Sequence, residues 1–197
     1  MSVIAILRKG SLLFFLALLT TSVYAETYAI DPVHSTIGFG ATHLMVSQVK
    51  GQFTDYQGTV TFDPANADTN AADVTIQAKS VDTGNADRDK HLSGPDFLDV
   101  EKFPTLTFKS NSIKKEGDKY SISGDLTIHG VTKPITIPAT INGPVKSPFG
   151  THVIGISGQK TINRKDFGIE FNKQMDQGGY VVGEEILLDI SVEASKK

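Results

Sequence analysis

Three groups of side chains in this sequence could do chemistry. Asp31, His34 and Ser35 lie together in Asp31-Pro32-Val33-His34-Ser35. Carboxylate, imidazole and hydroxyl are the parts of a nucleophilic triad. Neighbours on an extended chain point to opposite faces, however, so His34 and Ser35 are poorly placed as a base and its nucleophile. The plainer reading is that Asp31 shapes an Asp-Pro turn while His34 or Ser35 satisfies backbone groups at a barrel mouth. The second group is Asp87, Arg88, Asp89 and His91. It could offer cations to a phosphate or polar headgroup, or form an Arg–Asp network that fastens a helical insert. Arg164 and Asp166, followed by Gly168, pose the same choice between a ligand-facing cation and a buried pair that clamps a tight corner.

The rest of the inventory excludes classes. The five histidines, His34, His43, His91, His129 and His152, include no pair at the i, i+4 or short-loop spacing of a metal site. No metal and no cofactor is expected. There is no cysteine, which removes thiol catalysis, disulfide staples and Cys-ligated zinc or iron–sulfur centres. Nineteen Lys and Arg against 22 Asp and Glu give a net charge of −3, unlike the basic footprint of a nucleic-acid binder. At 39% hydrophobic the chain is too apolar for disorder, and 197 residues suffice for one domain with its own core.

The elements that must position these groups are strands. Val74, Ile76 and Ala78 alternate with polar residues, as do Tyr120, Ile122, Leu126 and Ile128. The same holds for Ile135, Ile137, Ala139 and Ile141, for Ile154, Ile156 and Ile162, and for Ile186, Leu188, Ile190 and Val192. This period of two predicts antiparallel sheet with one hidden face. Turn chemistry falls at Asp31-Pro32, Asp63–Asn66, Glu116–Asp118, Asn142-Gly143-Pro144 and Gln177–Gly179. Strands such as Lys119–Ile128 and Thr151–Asn163 are long, which favours an all-β, eight-stranded up-and-down barrel of the lipocalin-like kind. Residues 85–100 break the pattern. Asn85 is placed to cap a short helix over Ala86–Leu92, ended by Gly94-Pro95. A second helical turn over Asp96–Val100 would turn Phe97, Leu98 and Val100 inward as a lid.

Met1 to Ala25 reads differently again. Arg8-Lys9, the apolar run Leu12–Leu19 and the ending Val23-Tyr24-Ala25 have the layout of a cleaved secretory signal peptide. Eight residues of helix reach about 12 Å, short of the ~30 Å hydrocarbon core. Export to the periplasm is expected, with residues 26–197 as a single barrel domain that has no integral membrane segment.

Several segments together resemble the YceI family of exported, lipocalin-like proteins. Asp31–Phe39 is similar to its opening D-x-x-H-S pattern, and Val49-Lys50-Gly51-Gln52-Phe53 to its V-x-G-x-F step. Arg88-Asp89-Lys90-His91-Leu92, with Phe97 and Phe103-Pro104, resembles R-D-x-H-L … F … P. Gly124–Thr132 resembles G-x-L-T-x-x-G-V-T, and Asn163–Gly168 resembles N-R-x-D-F-G. The resemblance implies a barrel with an elongated apolar interior and a non-enzymatic role, binding a long polyisoprenoid or other amphipathic lipid. The absence of tryptophan sets the chain apart from true lipocalins, whose barrel floor carries G-x-W.

By pattern alone the inward side chains suit a tunnel or an ordinary packed core. With the resemblance, the expected ligand-lining set is Phe39, Val74, Ile76, Leu92, Phe97, Phe103, Leu106, Phe108, Ile122, Leu126, Ile137, Ile156 and Leu188. His34, Arg88, His91 and Arg164 are the headgroup candidates. The competing functions are an enzyme acting on such a lipid, and an envelope stress protein acting through protein contacts. A homodimer would suit a barrel shorter than its ligand.

Overall fold

The structure is a computed structural model that describes residues 25–176 and 178–197. The expected leader, apart from Ala25, and Gln177 of the last expected turn lie outside the described residues. The chain forms β1 (Glu26–Ile30), β2 (Thr36–His43), β3 (Ser47–Phe53), β4 (Tyr56–Phe62), β5 (Ala71–Gln77) and β6 (Val81–Asp82). One helix, α1 (Ala86–Ser93), precedes β7 (Thr105–Glu116), β8 (Lys119–Ile128), β9 (Val131–Lys146), β10 (His152–Asn163) and β11 (Val182–Lys196).

These segments make eight walls, because β1 runs on into β2, β3 into β4, and β5 into β6. Each wall pairs antiparallel with the next in the chain, and β11 closes the barrel on β1 and β2. The three bent walls break at one level, since Ile37 faces Phe53 and Phe53 faces Val81. Backbone groups at the breaks still find partners, as buried peptide groups must. Thr54 N donates to Ser80 O at 3.0 Å, and Gln77 N donates to Asp55 O at 2.9 Å. The Ser35 hydroxyl donates to Glu193 O at 3.2 Å and accepts from Glu193 N at 3.0 Å, standing in for a missing rung.

This waist divides the barrel. Below it Tyr28, Val60, Phe62, Ile113, Tyr120, Ile154 and Ala194 fill the interior, with Phe62 and Tyr120 edge-to-face at 5.9 Å. Above it the wall is incomplete. The β9–β10 ladder stops at Ala139 and Gly158, although β10 continues to Asn163. Pro134 and Pro138, which lack the N–H a second ladder would need, sit on β9 beyond that point. Between β6 and β7 the chain makes a long excursion containing α1, whose Asn85 side chain accepts from Arg88 N.

Two expectations need correction. Asp96–Val100 is not a second helical turn. Gly94 O accepts from both Phe97 N and Asp99 N, and Asp99 has a φ of +44°, which ends any helical run. Phe97 nonetheless points inward and is buried. Asn142-Gly143-Pro144 is not a turn between strands, for β9 runs through it. Val145 pairs with Val153 and Asn142 with Gly155, so one extra residue on β9 makes a bulge. Gly and Pro serve bulges as readily as turns.

Candidate ligand-binding site

Two adjoining cavities occupy the barrel interior. The first, about 140 Å³, lies in the middle of the barrel, walled by Val74, Ile76, Leu106, Phe108, Ile122, Leu126, Ile137, Ile156 and Leu188 among others. The second, about 130 Å³, lies under α1 and the loop after it, walled by Leu92, Phe97, Leu98, Phe167, Ile169 and Ile186. Phe39, Phe53, Leu106, Ile128 and Leu188 belong to both walls and form the partition between them. An apolar cavity of this size with no hydrogen-bonding side chain in its wall, as the first is, stays dry.

The partition explains the Val49–Phe53 step. Phe39 and Phe53 pack at 5.7 Å between ring centroids. A Cβ on Gly51 would come within 2.5 Å of the Phe39 ring, so only glycine lets the ring lie against this strand. Of the thirteen expected lining residues, Phe103 alone lines neither cavity. Its ring packs on His129 at 4.5 Å and over Gly130, closing the β8–β9 turn from outside.

The four headgroup candidates separate clearly. His34 is exposed on the waist, where its Nδ1 donates to Asp31 Oδ2 at 2.8 Å. That hydrogen bond raises the His34 pKa and lowers that of Asp31. Ser35 is engaged with Glu193, so the triad geometry is absent there. The Glu193 carboxylate does come near, within 4.8 Å of the Asp31 and His34 ligand atoms, a meeting of residues too distant in sequence to foresee. Arg88 turns onto Thr83, with Nε donating to the hydroxyl at 2.7 Å and Nη2 to the carbonyl at 2.9 Å. The same hydroxyl donates to Asp89 at 2.5 Å. Thr83 is thus the hub that fastens α1, and the expected direct Arg–Asp contact is replaced by a relay through it. His91 pairs with Asp96 at 3.0 Å and meets Phe97 and Phe171 edge-on, at 5.0 and 5.2 Å. Neither Arg88 nor His91 lines a cavity.

Arg164 does line one. It is 3% exposed, in the wall of the second cavity. Its Nε donates to Gly183 O at 3.0 Å and its Nη1 to Ile169 O at 2.7 Å. Its Nη2 is buried with no partner. The expected Arg164–Asp166 pair is absent because Asp166 faces solvent. Arg164 is held instead by the corner itself. Asn163 caps the short turn Arg164–Phe167, Phe167 is buried, and Gly168 exits with a φ of +75°. Burial pushes the Arg164 pKa down, and Glu184 partly opposes this. A guanidinium keeps its proton regardless, so a charge with a free donor remains in an apolar wall. Unpaired buried groups of this kind are rare and call for an explanation.

Comparison with known proteins agrees with this architecture. Residues 28–194 match the YceI-like domain family. Protein YceI of Salmonella newport is 44% identical over 168 residues, covering 83% of this chain and 88% of that protein. The crystal structure of Burkholderia cenocepacia BcnA, 26% identical, superposes with a TM-score of 0.74 over 84% of this chain and 99% of that one. A structure described as a polyisoprenoid binding domain from Saccharophagus degradans shares the fold at 16% identity, with a TM-score of 0.66 over 86% and 98% of the two chains. A closed antiparallel barrel enclosing two apolar cavities, the ordered motifs from Asp31 to Gly168 and a match across nearly all described residues make this chain a member of the YceI family.

Proposed function

We propose that this chain binds a long-chain isoprenoid or related amphipathic lipid, such as a polyprenyl quinone or its precursor, inside the barrel, for carriage or sequestration. The observation that carries the reading is the pairing of two adjoining apolar cavities with a buried cation, Arg164, whose Nη2 has no partner among the described residues. The tail lies through the first cavity towards the packed end, and the headgroup accepts a hydrogen bond from Arg164 beneath α1. A continuous chain requires the Phe39 and Phe53 rings to part. Burying roughly 500 Å² of hydrocarbon at about 25 cal/mol/Å² supplies ~12 kcal/mol before the cost of ordering the ligand. Affinity therefore needs no bond-making chemistry, and the role is binding rather than catalysis.

The ligand ascribed to the Saccharophagus degradans domain supports the same chemical class. The proposed setting is the periplasm, reached after cleavage behind Ala25. Mass spectrometry of an organic extract of the purified protein tests the reading. An isoprenoid or similar lipid is expected in near-stoichiometric amount. A protein that comes up empty, and also fails to take up added long-chain isoprenoids, overturns it.

A further inference from the structure

The β2–β3 hairpin ends in a tip that breaks the rules of its own turn. Val46 N donates to His43 O at 3.1 Å, and the two residues between, Leu44 and Met45, have φ of +50° and +60°. Two central residues with positive φ define the tight hairpin turn that favours Asn-Gly, because L side chains crowd the backbone there. Here the positions hold Leu and Met. Nor are these side chains used to fill a core, for Leu44 is 39%, Met45 68% and Val46 84% exposed. Tyr180 adds a further 48%-exposed ring from the facing loop, where Met45 lies over Gly179. Between Thr36 and Val49 the hairpin carries no Lys, Arg, Asp or Glu, while Lys50 follows it on β3 and the facing loop, residues 173–181, carries Lys173 and Asp176.

The tip stands at the hollow end. Ala41 lines the second cavity and pairs with Ile186, which lines it too. The tip projects roughly 10 Å beyond Ala41 along the strand. Leu44 N also donates to Val181 O, next to Val182 of the cavity wall, so tip and cavity share one rim.

We propose that this rim docks on a lipid bilayer, with Leu44, Met45 and Val46 entering the headgroup region and the flanking lysines facing anionic lipid. The inference rests on the lipid-binding reading above, since a ligand apolar enough to favour the cavity escapes slowly through water and is best exchanged in contact with the membrane. An uncharged apolar tip bordered by an interfacial tyrosine and two lysines, against one aspartate at Asp176, has the composition of a segment that lies at a membrane surface. The opposite end supplies the comparison: Phe149 is 94% exposed on the β9–β10 turn, beyond the packed interior.

The test uses vesicles of phosphatidylethanolamine and phosphatidylglycerol that carry a long-chain isoprenoid alcohol. Flotation measures docking, and mass spectrometry of the recovered protein measures loading. One variant combines Leu44→Asn, Met45→Gly and Val46→Ser, replacements the turn favours, so its melting temperature should not fall. Phe149→Ser is the control. The tip variant is expected to lose about tenfold or more in both vesicle partition and loading rate. It should still hold as much isoprenoid as the parent when the alcohol is added from solvent, and Phe149→Ser should behave as the parent. A tip variant that docks and loads like the parent overturns the proposal, as does loss confined to Phe149→Ser. So does a change in oligomeric state with unchanged flotation, which would make the tip a contact between copies. If no protein takes up the alcohol even from solvent, the lipid-binding reading fails, and flotation alone still decides the docking.

Discussion

The two ends of this barrel share eight walls, three of them bent at the waist, yet one end is filled while apolar cavities occupy the middle and the other end. At the packed end Tyr28, Phe62 and Ile154 are each less than 2% exposed, and β9 and β10 stay paired through a bulge. At the helix end β9 and β10 part, an excursion carrying α1 occupies the span from β6 to β7, and side chains such as Phe97 and Phe167 pack on their neighbours while also walling a cavity. The packed end supplies cohesion, which lets the hollow end give up contacts in exchange for room. Among the described residues each end also contains one buried side-chain donor without a partner, Asn70 Nδ2 and Arg164 Nη2. Only the second lines a cavity, which is why it alone reads as a ligand contact.

The largest test of this contrast removes one phenylalanine from each end. Phe62→Ala should destabilise the lipid-free protein by about 3–5 kcal/mol, the range for a fully packed ring. Phe97→Ala, in the roof of the second cavity, should cost less than about half as much, because part of its ring already faces space. Denaturant melts of both variants decide it, and equal losses would mean that the helix end is as tightly packed as the other.

Adding volume should show the opposite asymmetry. Ala194 is 0% exposed at the packed end. Its replacement by Leu should cost about 1–3 kcal/mol through overpacking. Ala41→Leu places the same atoms in the wall of the second cavity, where stability should be held or raised while the lipid in an organic extract falls. A sizeable loss of stability in Ala41→Leu would sharpen the picture differently, by showing that the cavity wall cannot yield. Between these two in character is Arg164→Lys. An ammonium cannot reproduce the fork that serves Gly183 O and Ile169 O, so one carbonyl is left unpaired at a cost of about 1–3 kcal/mol. Bound lipid should fall as well, whereas a purely structural Arg164 would leave the lipid content untouched in the folded fraction.

Much of the packed end could be read from the sequence, because period-two alternation reports burial directly. Lys119–Ile128 is expected as a strand and is β8 residue for residue; at the other end only the helix is as legible, Asn85 capping one a single residue longer than expected. The hollow end was harder to read. Alternation marks a side chain as inward-facing and is silent on whether another side chain meets it there, so Ile154 of the packed interior and Val74 of the cavity wall look alike in sequence. The waist is hidden for a different reason. Ser35, Thr54 and Ser80 are ordinary polar residues until a distant backbone group becomes their partner. Arg164 was identifiable as a candidate, but its true partners are two carbonyls, and a carbonyl carries no residue signature. Pro134 and Pro138 were the overlooked signal of the open β9–β10 seam, since prolines inside a long strand mark an edge.

The smallest effect concerns the waist, where β1 of the packed end becomes β2 of the hollow one. His34 is linked to Asp31 there, and its pKa is raised chiefly by that hydrogen bond. A raised histidine pKa stabilises the fold fully below the unfolded value of about 6.5, and the contribution disappears as pH rises through the folded pKa. Asp31 works from the other side. Its lowered pKa stabilises above about 3.8 and is lost as pH falls through its folded value. The pair therefore contributes most in mildly acidic solution. The melting-temperature difference between the parent and His34→Gln should be greatest there and shrink towards alkaline pH, at about a degree or less, because exposed pairs contribute little. Added salt should shrink it further. Lipid content should stay constant throughout, since His34 lines neither cavity. If His34→Gln instead alters the lipid retained, the bend at Asp31–Ser35 transmits to the cavity walls, and the packed and hollow ends cannot be treated as independent.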